Sequence, residues 1–358
     1  MSLVVSQTLR SRSTHPATVP TDNVPEQLKP GLRGFSFSPR TTSATDIESF
    51  FTAARSSHAD IVSWAGDWEE LANENGGPGL VLRNAQSGGY KPIIEATAYH
   101  DTPDGLELIR PLSDEQRSRY VETIRQFATR NQPAYLGIGI EVNRLGPDSP
   151  HALNDMQSLF ADACETAKTA SPQTKVFTSF QYEQLKGLQG GLFGARNDRA
   201  TAQWQLLDEF PCADVLAFTS YPSLIYKHPA DIPQDYYAEL TTHTSKPIAW
   251  SELGWPAASS IRGWTSTADD QAAFITRFRE LTSSLTPAFT IWSFLYDPPA
   301  TEPFSSMGLI DTDNHERPGL TIWNQPYIDD RHSQEPGQAS DGGANTSPDT
   351  PEQASPRT

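Results

Sequence analysis

The amino-acid sequence predicts an α/β fold: one (β/α)8 barrel, or TIM barrel, in a single domain flanked by disordered tails. Three observations lead to this fold class: short apolar segments alternate with helical patterns, there are eight such segments, and most of them are apolar throughout. Strands of a parallel barrel are buried on both faces, which explains continuous apolar runs. An open doubly wound sheet is the alternative, but the sequence has no glycine-rich phosphate loop to support it.

The eight predicted strands are spaced regularly along the chain. Their ranges are 31–38, 59–64, 92–98, 134–140, 175–180, 214–220, 248–250 and 288–294. Apolar periodicity predicts a helix from Thr45, and Ser113 with Gln116 has the spacing of a capping box that starts the helix after strand 3. Further helices are predicted over 153–168, 202–207, 236–244 and 267–285. After strand 2 the helix is poorly defined, because residues 73–79, which are rich in Asn, Gly and Pro, interrupt it.

The barrel domain is predicted to span residues 31–328, with disordered segments at 1–30 and 329–358. Both segments are polar and have no sustained apolar period. No apolar run approaches the ~20 residues of a membrane span, and the first segment lacks the apolar core of a secretory signal. Its Ser-, Thr- and Pro-rich composition resembles surface linkers of exported proteins. We therefore expect an extracellular or periplasmic protein, with the cytoplasm as the alternative.

The composition narrows the range of partners. The formal net charge of −17, from 44 acidic and 27 basic residues, argues against nucleic acid and anionic membranes but is compatible with uncharged glycans. Cys164 and Cys212 imply neither a disulfide framework nor a cysteine zinc site, and whether they pair stays open. Residues 311–314 begin like a calcium loop but lack its glycine and final glutamate, so we expect a polar turn. We expect a monomer that needs no metal and no cofactor.

Two predicted strands end in a glutamate. Glu141 follows strand 4, and Glu252 follows strand 7, which breaks at once at Gly254 and Pro256. Because the carboxyl ends of barrel strands meet at one face, we expect both carboxylates over the same mouth. There one acid can protonate a leaving oxygen while the other attacks an anomeric carbon, and a gap of about 5–5.5 Å is typical of retaining glycoside hydrolases. The alternative is a pair of structural carboxylates that hold strands together through ion pairs.

The segments around these residues carry a family resemblance. Strand 4 with its end reads YLGIGIEVN (135–143), SYP (220–222) closes strand 6, and strand 7 with its end reads WSELGWP (250–256). Strand 8 carries Trp292, and MGLIDTDNHERP (307–318) follows it. In this order the segments resemble the retaining glycoside hydrolases of clan A. Within that clan the sequence is most similar to endo-β-1,4-galactanases and plant-type β-1,3-glucanases.

The resemblance implies a role for each matching residue. Glu141 would be the general acid/base, and Glu252 would be the nucleophile. Tyr221 would donate a hydrogen bond to the nucleophile, and Trp292 would form the floor of the subsite beside the cleaved bond. The implied activity is hydrolysis of a β-linked polysaccharide or oligosaccharide by double displacement.

One position departs from the clan's pattern. The acid/base of the clan follows an Asn that binds the sugar 2-hydroxyl, whereas this sequence has Ile140 there. Asn143 lies too far along the chain to take its place simply. Losing a contact that strengthens in the transition state removes up to several kcal/mol of stabilisation. The competing hypothesis is therefore a non-catalytic carbohydrate-binding barrel.

Further side chains near the predicted strand ends are candidates for sugar contacts. Aromatic rings can stack on pyranose faces, and amides can bond to hydroxyl groups. The candidates are Trp64, Trp68, Trp255, Asn143, Gln181 and Tyr296. A core position is the alternative for Trp64, because Trp is highly buried on average. Glu95 lies amid apolar neighbours in strand 3, and we expect it to be paired and close to the site.

Overall fold

The computed structural model describes residues 31–98, 100–102, 105–107, 113–145 and 150–325. The predicted disordered segments 1–30 and 329–358 lie outside these ranges, and so does the predicted end of the domain at 326–328. In the described part, eight parallel strands form a closed barrel with helices between them. The predicted fold class is therefore confirmed.

The barrel strands pair in chain order, and the last pairs with the first. They are β1 Leu32–Ser36, β2 Ile61–Asp67, β3 Lys91–Thr97, β4 Tyr135–Ile138, β5 Lys175–Gln181, β6 Val215–Ser220, β7 Ile248–Leu253 and β8 Phe289–Trp292. A short antiparallel hairpin, His100–Thr102 with Gly105–Glu107, follows β3. Because β7 is longer than predicted, Glu252 belongs to the strand itself.

Seven α-helices occur in the described ranges. They are α1 Ala44–Ser56, α2 Gly77–Gly88, α3 Asp114–Asn131, α4 Pro150–Ala170, α5 Tyr182–Leu185, α6 Ala268–Leu281 and α7 Pro318–Asn324. Ser113 and Gln116 form the capping box expected at the start of α3. Short 3-10 turns lie at Trp68–Ala72, Val142–Arg144, Gly191–Phe193, Arg199–Thr201, Trp204–Asp208, Pro222–Leu224, Pro229–Asp231, Ala238–Thr242, Ile261–Gly263 and Phe304–Ser306.

Three helix predictions need correction. The predicted helices 202–207 and 236–244 are 3-10 turns, and in the second of them burial of the consecutive Tyr236 and Tyr237 overrides the local helical pattern. Conversely, the predicted interruption at 73–79 contains the start of α2 at Gly77, because Pro is tolerated in a first helical turn. Gly77 is required there, since a Cβ atom would lie 2.2 Å from the indole nitrogen of Trp64.

The barrel interior has an apolar half and a polar half. The apolar half lies toward the amino ends of the strands and consists of Leu32, Ile61, Ile93, Tyr135, Phe177, Val215, Ala217, Ala249, Phe289 and Ile291. Residues two positions further along a strand face the same side, so they continue this interior toward the carboxyl ends. These next residues include the buried polar side chains of Ser63, Glu95, Ser179, Thr219 and Ser293. We call the apolar half of the interior the plug, and the buried polar side chains that follow it toward the carboxyl ends the polar floor.

The two cysteines form a disulfide, a pairing that the sequence left open. Cys164 of α4 is bonded to Cys212, which precedes β6, with their Cα atoms 6.3 Å apart. Lys168 of α4 donates to the Cys212 carbonyl at 2.6 Å and to the Asp214 carboxylate at 3.0 Å, so α4 is tied to this segment in two ways. None of the described helices has the length and apolar character that crossing a membrane requires.

Candidate active site

A cleft of about 770 Å³ opens at the carboxyl ends of the barrel strands. This is the face at which barrel enzymes place their active sites. Both glutamates singled out in the sequence, Glu141 and Glu252, line this cleft. Gln181 and Tyr221, which were also predicted site residues, line it as well.

A β-bulge in β7 directs Glu252 into the cleft. The pairing with β6 runs from Phe218 opposite Trp250 directly to Thr219 opposite Glu252, so Ser251 is an extra residue in the strand. With strict alternation from the interior residue Ala249, Glu252 would face the outer helices. The extra residue reverses the alternation, which is a common use of bulges beside active sites.

Tyr221 holds the Glu252 carboxylate. Its hydroxyl donates to Glu252 Oε2 at 2.5 Å and lies 2.8 Å from Ser293 Oγ. Burial, and after it the charge of Glu252, raises the pKa of Tyr221 well above its usual range. The phenol therefore keeps its proton and remains a donor, which is the contact that the family resemblance implied.

Glu141 lies in a tight turn after β4. Gly139 and Glu141 both have positive φ, at 84° and 49°, so the chain reverses direction at the strand end. One carboxylate oxygen of Glu141 accepts from Thr219 Oγ1 at 2.6 Å, and the other accepts from the Arg144 guanidinium at 2.5 Å. The Glu141 backbone N–H donates to Ser179 Oγ at 3.1 Å. Both the backbone and the side chain of this residue are thus fixed.

Thr219 connects the two carboxylates. It is the register partner of Glu252 across β6 and β7, and its hydroxyl is the one that Glu141 accepts. Two glutamates that are remote in sequence therefore face one small region of the cleft. Such an arrangement can place one acid and one nucleophile around the same glycosidic bond.

A third carboxylate, Glu95, lies in the polar floor of the barrel. Its side chain is 3% exposed. The pKa of Glu95 is raised to about 8, mainly by burial and in addition by the charges of Glu252 and Glu141, whereas the Ser179 hydroxyl lowers it. Glu95 is therefore close to the site as expected, but its Oε1 atom has no hydrogen-bond partner among the described residues, whereas the sequence predicts a paired carboxylate.

A fourth carboxylate, Glu183 at the start of α5, fixes the wall of the cleft. It is fully buried, and burial raises its pKa. Four donors surround its two oxygens: Gln181 Nε2 at 2.6 Å, Ser220 Oγ at 2.8 Å, the Tyr236 hydroxyl at 3.0 Å and the Tyr221 backbone N–H at 3.2 Å. Glu183 therefore anchors both Gln181 and Tyr221, which face the cleft.

Three predicted sugar contacts are instead buried against the outer helices. Trp64 packs against α2, Trp68 contacts Tyr120 of α3 with ring centroids 5.3 Å apart, and Trp255 stacks on Phe274 of α6 at 5.1 Å. Their exposures are 7%, 6% and 1%, respectively. The structure therefore corrects the expectation that these indoles stack on a substrate in the cleft.

Trp292 also requires correction. It follows the interior residue Ile291, so by strand alternation its indole faces outward. There its ring lies 5.7 Å from Trp323 of α7 and 6.1 Å from Phe274 of α6. Phe294, two residues further on, lines the cleft in its place. The resemblance thus implied an aromatic residue at the right strand end but at the wrong position.

Asn143 and Tyr296 have structural contacts away from the cleft. The Asn143 amide accepts from the Gln181 backbone N–H at 2.8 Å and donates to the Gln181 carbonyl at 3.1 Å, which joins the turn after β4 to the end of β5. Tyr296 lines a different cavity, beside α1, and its hydroxyl bonds to the Ser49 carbonyl at 3.3 Å. Ile140, in contrast, does line the active cleft.

The sequence reasoning missed several residues of the cleft. Arg144 could have been noticed because it lies three residues after Glu141, a spacing at which side chains meet. Phe193 and Phe304 line the cleft from segments outside the predicted elements, and Phe294 lines it from the last position of the eighth predicted strand, just beyond the observed β8. Their positions depend on loop conformation, which left no signal in the apolar pattern.

One cluster in the described residues has donor atoms of the kind that bind metals. Asp311, Asp313 and His315 place their ligand atoms within 4.8 Å of one another. Asp311 Oδ1 accepts from the backbone N–H groups of Asp313 and His315 at 2.8 and 2.9 Å. These bonds are those of the polar turn that the sequence predicts, and none of the three residues lines the cleft.

Comparison with solved structures finds similar barrels among glycoside hydrolases. An exo-β-1,4-mannosidase from Opitutaceae bacterium strain TAV5 has a TM-score of 0.59 at 14% identity, over 82% of this chain and 58% of that one. GH5_18 from Streptomyces cattleya, solved in complex with GlcNAc, has a TM-score of 0.64 at 14% identity, over 83% and 80% of the two chains. A family 17 β-1,3-glucanosyltransferase from Rhizomucor miehei has a TM-score of 0.52 at 16% identity, over 83% and 98%.

The chain spans less than two thirds of the length of the mannosidase. No family model and no curated protein sequence matches it. At identities of 12–16%, the structural similarity establishes the fold. The protein shares the (β/α)8 barrel of these glycoside hydrolases, in agreement with the family resemblance read from its sequence.

Proposed function

We propose that this protein is a retaining glycoside hydrolase that cleaves β-linked glycans. The observation that carries the proposal is the presence of Glu141 and Glu252 in one cleft, each held by its own hydrogen-bond donors. The similar mannosidase and glucanosyltransferase barrels are named for reactions on β-linked sugars, which supports the proposed substrate class. The proposed chemistry requires no cofactor.

In the first step, Glu252 attacks the anomeric carbon and Glu141 gives its proton to the leaving oxygen. The bond to the leaving sugar breaks as the bond to Glu252 forms, so a glycosyl ester remains on the enzyme. Tyr221 fixes the attacking carboxylate and thereby reduces the number of unproductive orientations. In the second step, Glu141 takes a proton from water, which attacks the same carbon and releases Glu252 with net retention.

The cleft offers suitable surfaces for a sugar chain. Phe193, Phe294 and Phe304 provide apolar faces for pyranose rings, while Gln181 provides an amide for hydroxyl groups. A volume of about 770 Å³ falls within the ~300–1,000 Å³ range of ligand pockets. We propose an oligosaccharide or polysaccharide substrate on this basis.

A non-catalytic carbohydrate-binding barrel is the second candidate. Its supporting observation is that Ile140 lines the cleft at the position where the clan has its sugar-binding Asn. A hydrocarbon there offers no hydrogen bond to the 2-hydroxyl of the sugar. Without that bond, binding can persist while stabilisation of the transition state is lost.

The disulfide bears on the proposed location. Disulfides persist in oxidising compartments and are rare in cytosolic proteins. The bond between Cys164 and Cys212 therefore supports an extracellular or periplasmic location, and secretion would suit a protein that acts on external polysaccharides.

The test is a screen for reducing ends released from β-linked glucans, galactans, mannans and xylans. Wild type is compared with Glu252→Gln, Glu141→Gln and the control Glu115→Gln, an exposed carboxylate at the start of α3. We expect release by wild type and the control, and loss of at least about 10³-fold in the Glu252 variant, because the covalent step is removed. NMR of the first product should show the β-anomer.

Two outcomes would contradict the proposal. An α-anomer as first product would exclude double displacement. Absence of release by wild type, with equal retention of one glycan on affinity gels by wild type and Glu252→Gln, would establish the binding barrel instead.

A further inference from the structure

The barrel interior contains a carboxylate that the proposed reaction does not use. Glu95 follows the plug residue Ile93 on the interior face of β3 and lies in the polar floor beneath the cleft. Its Oε1 atom has no hydrogen-bond partner among the residues that the structure describes. Ionising a buried carboxylate that has an unpartnered oxygen costs free energy, because protein hydrogen bonds do not fully replace the water that the group has lost.

The neighbouring strand leaves space for this side chain. Gly137 is the register partner of Glu95, and a Cβ atom at Gly137 would lie 2.6 Å from Glu95 Cγ and 2.6 Å from Phe177 Cζ. A larger residue at 137 would thus displace Glu95 or the plug. The fold accommodates Glu95 by having no side chain opposite it.

Ser179 lies between Glu95 and the turn of Glu141. Glu95 and Phe177 are the two register partners of Gly137, and Ser179 follows Phe177 by two residues on the same interior face. The Ser179 hydroxyl accepts the backbone N–H of Glu141 at 3.1 Å and lowers the pKa of Glu95. A charge on Glu95 therefore acts close to the hydroxyl that holds the turn of Glu141.

The charges around Glu95 are mostly negative. Glu141 after β4 and Glu252 on β7 both act on it, and Asp67 at the end of β2 lines the same cleft. Arg144 and Arg262 line this cleft as well; the Arg144 guanidinium is bound to Glu141, and that of Arg262 donates to the Leu192 carbonyl. The Tyr221 hydroxyl is neutral and directed at Glu252. A charge on Glu95 would therefore meet repulsion from Glu252, and from Glu141 whenever Glu141 is ionised, in a region of low dielectric constant.

We propose that Glu95 is a positioning residue that must stay protonated during catalysis, and that loss of its proton ends activity at alkaline pH. This inference rests on the proposed glycosidase function. Ionised Glu95 repels the ionised carboxylate of Glu252, and also that of Glu141 once Glu141 has given up its proton. Neutral Glu95 leaves both carboxylates in place. The raised pKa of Glu95, about 8, agrees with a proton retained at neutral pH.

The first test is the pH profile of kcat/KM between pH 5 and 10. Glu95→Gln is isosteric with the neutral acid and cannot ionise, so its alkaline midpoint should rise by about one pH unit or more. Ser179→Ala removes the hydroxyl that lowers the pKa of Glu95, so its midpoint should also rise. If the midpoint of Glu95→Gln equals that of wild type, the alkaline limb belongs to another group and the proposal is overturned.

The second test does not depend on activity. Glu95 keeps its proton up to about pH 8 in the folded protein, against an ordinary pKa of 4.5. The folded state binds one more proton than the unfolded state between these values, so wild type loses stability as pH rises through this window. The Tm of Glu95→Gln minus that of wild type should therefore grow by several degrees from pH 5 to pH 9.

A control variant accompanies the Tm series, and the Tm series tests this inference independently of the proposed function. Glu122→Gln removes an exposed carboxylate whose pKa is already lowered to about 2 by its bonds to Arg125 and Gln126, so its Tm difference should stay constant. A constant difference for Glu95→Gln as well would show that Glu95 is ionised, which overturns the inference. If no glycan is cleaved, the proposed function fails, while the Tm series still decides the charge of Glu95.

Discussion

At the scale of single residues, the orientation of each carboxylate in the cleft depends on its hydrogen-bond donors. The phenol of Tyr221 donates to Glu252, and Thr219 and Arg144 donate to Glu141. Each donor restricts one carboxylate to one orientation, and reaction rates are sensitive to that orientation. Removing or adding a single polar group in the cleft should therefore change the rate more than it changes the fold.

Tyr221→Phe should lower kcat/KM. The variant loses one hydrogen bond to a charged group, worth about 1.5–3 kcal/mol, which corresponds to a roughly 10- to 100-fold loss. Steady-state kinetics on the glycan found in the screen would measure this loss. Ser293→Ala is the control, since it removes the other partner of the Tyr221 hydroxyl and leaves the bond to Glu252 in place. An equal loss in both variants would mean that the bond to Glu252 has no special role.

Ile140→Asn should raise kcat/KM. The side chain at 140 lines the cleft and is partly exposed, so an amide there avoids a buried unpaired polar group. If the amide reaches the 2-hydroxyl, it adds a bond that strengthens in the transition state. Kinetics should show an increase of several-fold with Asn and none with Ile140→Val. A decrease with Asn would mean that the cleft binds its sugar in a different orientation from the clan.

At the scale of elements, Glu183 joins three parts of the cleft wall. Its oxygens accept from the end of β5, from the end of β6 and from the turn that carries Tyr236. Glu183→Ala would leave these buried donors unpaired, at a cost of roughly 3–5 kcal/mol. Urea unfolding should show a clearly lower midpoint than wild type. Glu115→Ala, at an exposed helix position, should change it by about 0.5 kcal/mol or less.

The element scale also shows what the sequence could and could not predict. The strands and the placement of Glu141 and Glu252 followed from apolar runs that end in a carboxylate, since barrel strand ends share one face. The direction of individual side chains did not follow, because strands that are apolar on both faces give no alternation to read. Trp292 was placed in the cleft on the family resemblance alone, and the apolar run of strand 8 held no signal to replace it by Phe294 or to indicate the bulge at Ser251.

At the scale of the whole molecule, the disulfide joins positions 48 residues apart. The bond restricts the unfolded chain, and a loop of that size gives about 4 kcal/mol in the chain-entropy treatment. Replacing Cys164 and Cys212 by Ser should lower Tm by roughly 8 °C or more. Calorimetry would measure the shift, and a reducing agent should lower the Tm of wild type but not that of the variant. An unchanged Tm would mean that the Lys168 contacts alone hold α4 to this segment.

Four tryptophans point outward from the barrel, and this direction determines what their fluorescence reports. Trp64, Trp68, Trp255 and Trp292 lie between the barrel and its helices, whereas the aromatic residues of the described cleft lining are Phe193, Tyr221, Phe294 and Phe304. The intrinsic fluorescence of these buried indoles should emit at short wavelength and shift red only when the helices leave the barrel. A sugar in the cleft should leave the emission of these four indoles unchanged, so we expect any response to binding to come from Trp264, which is partly exposed and follows the cleft residues Ile261 and Arg262.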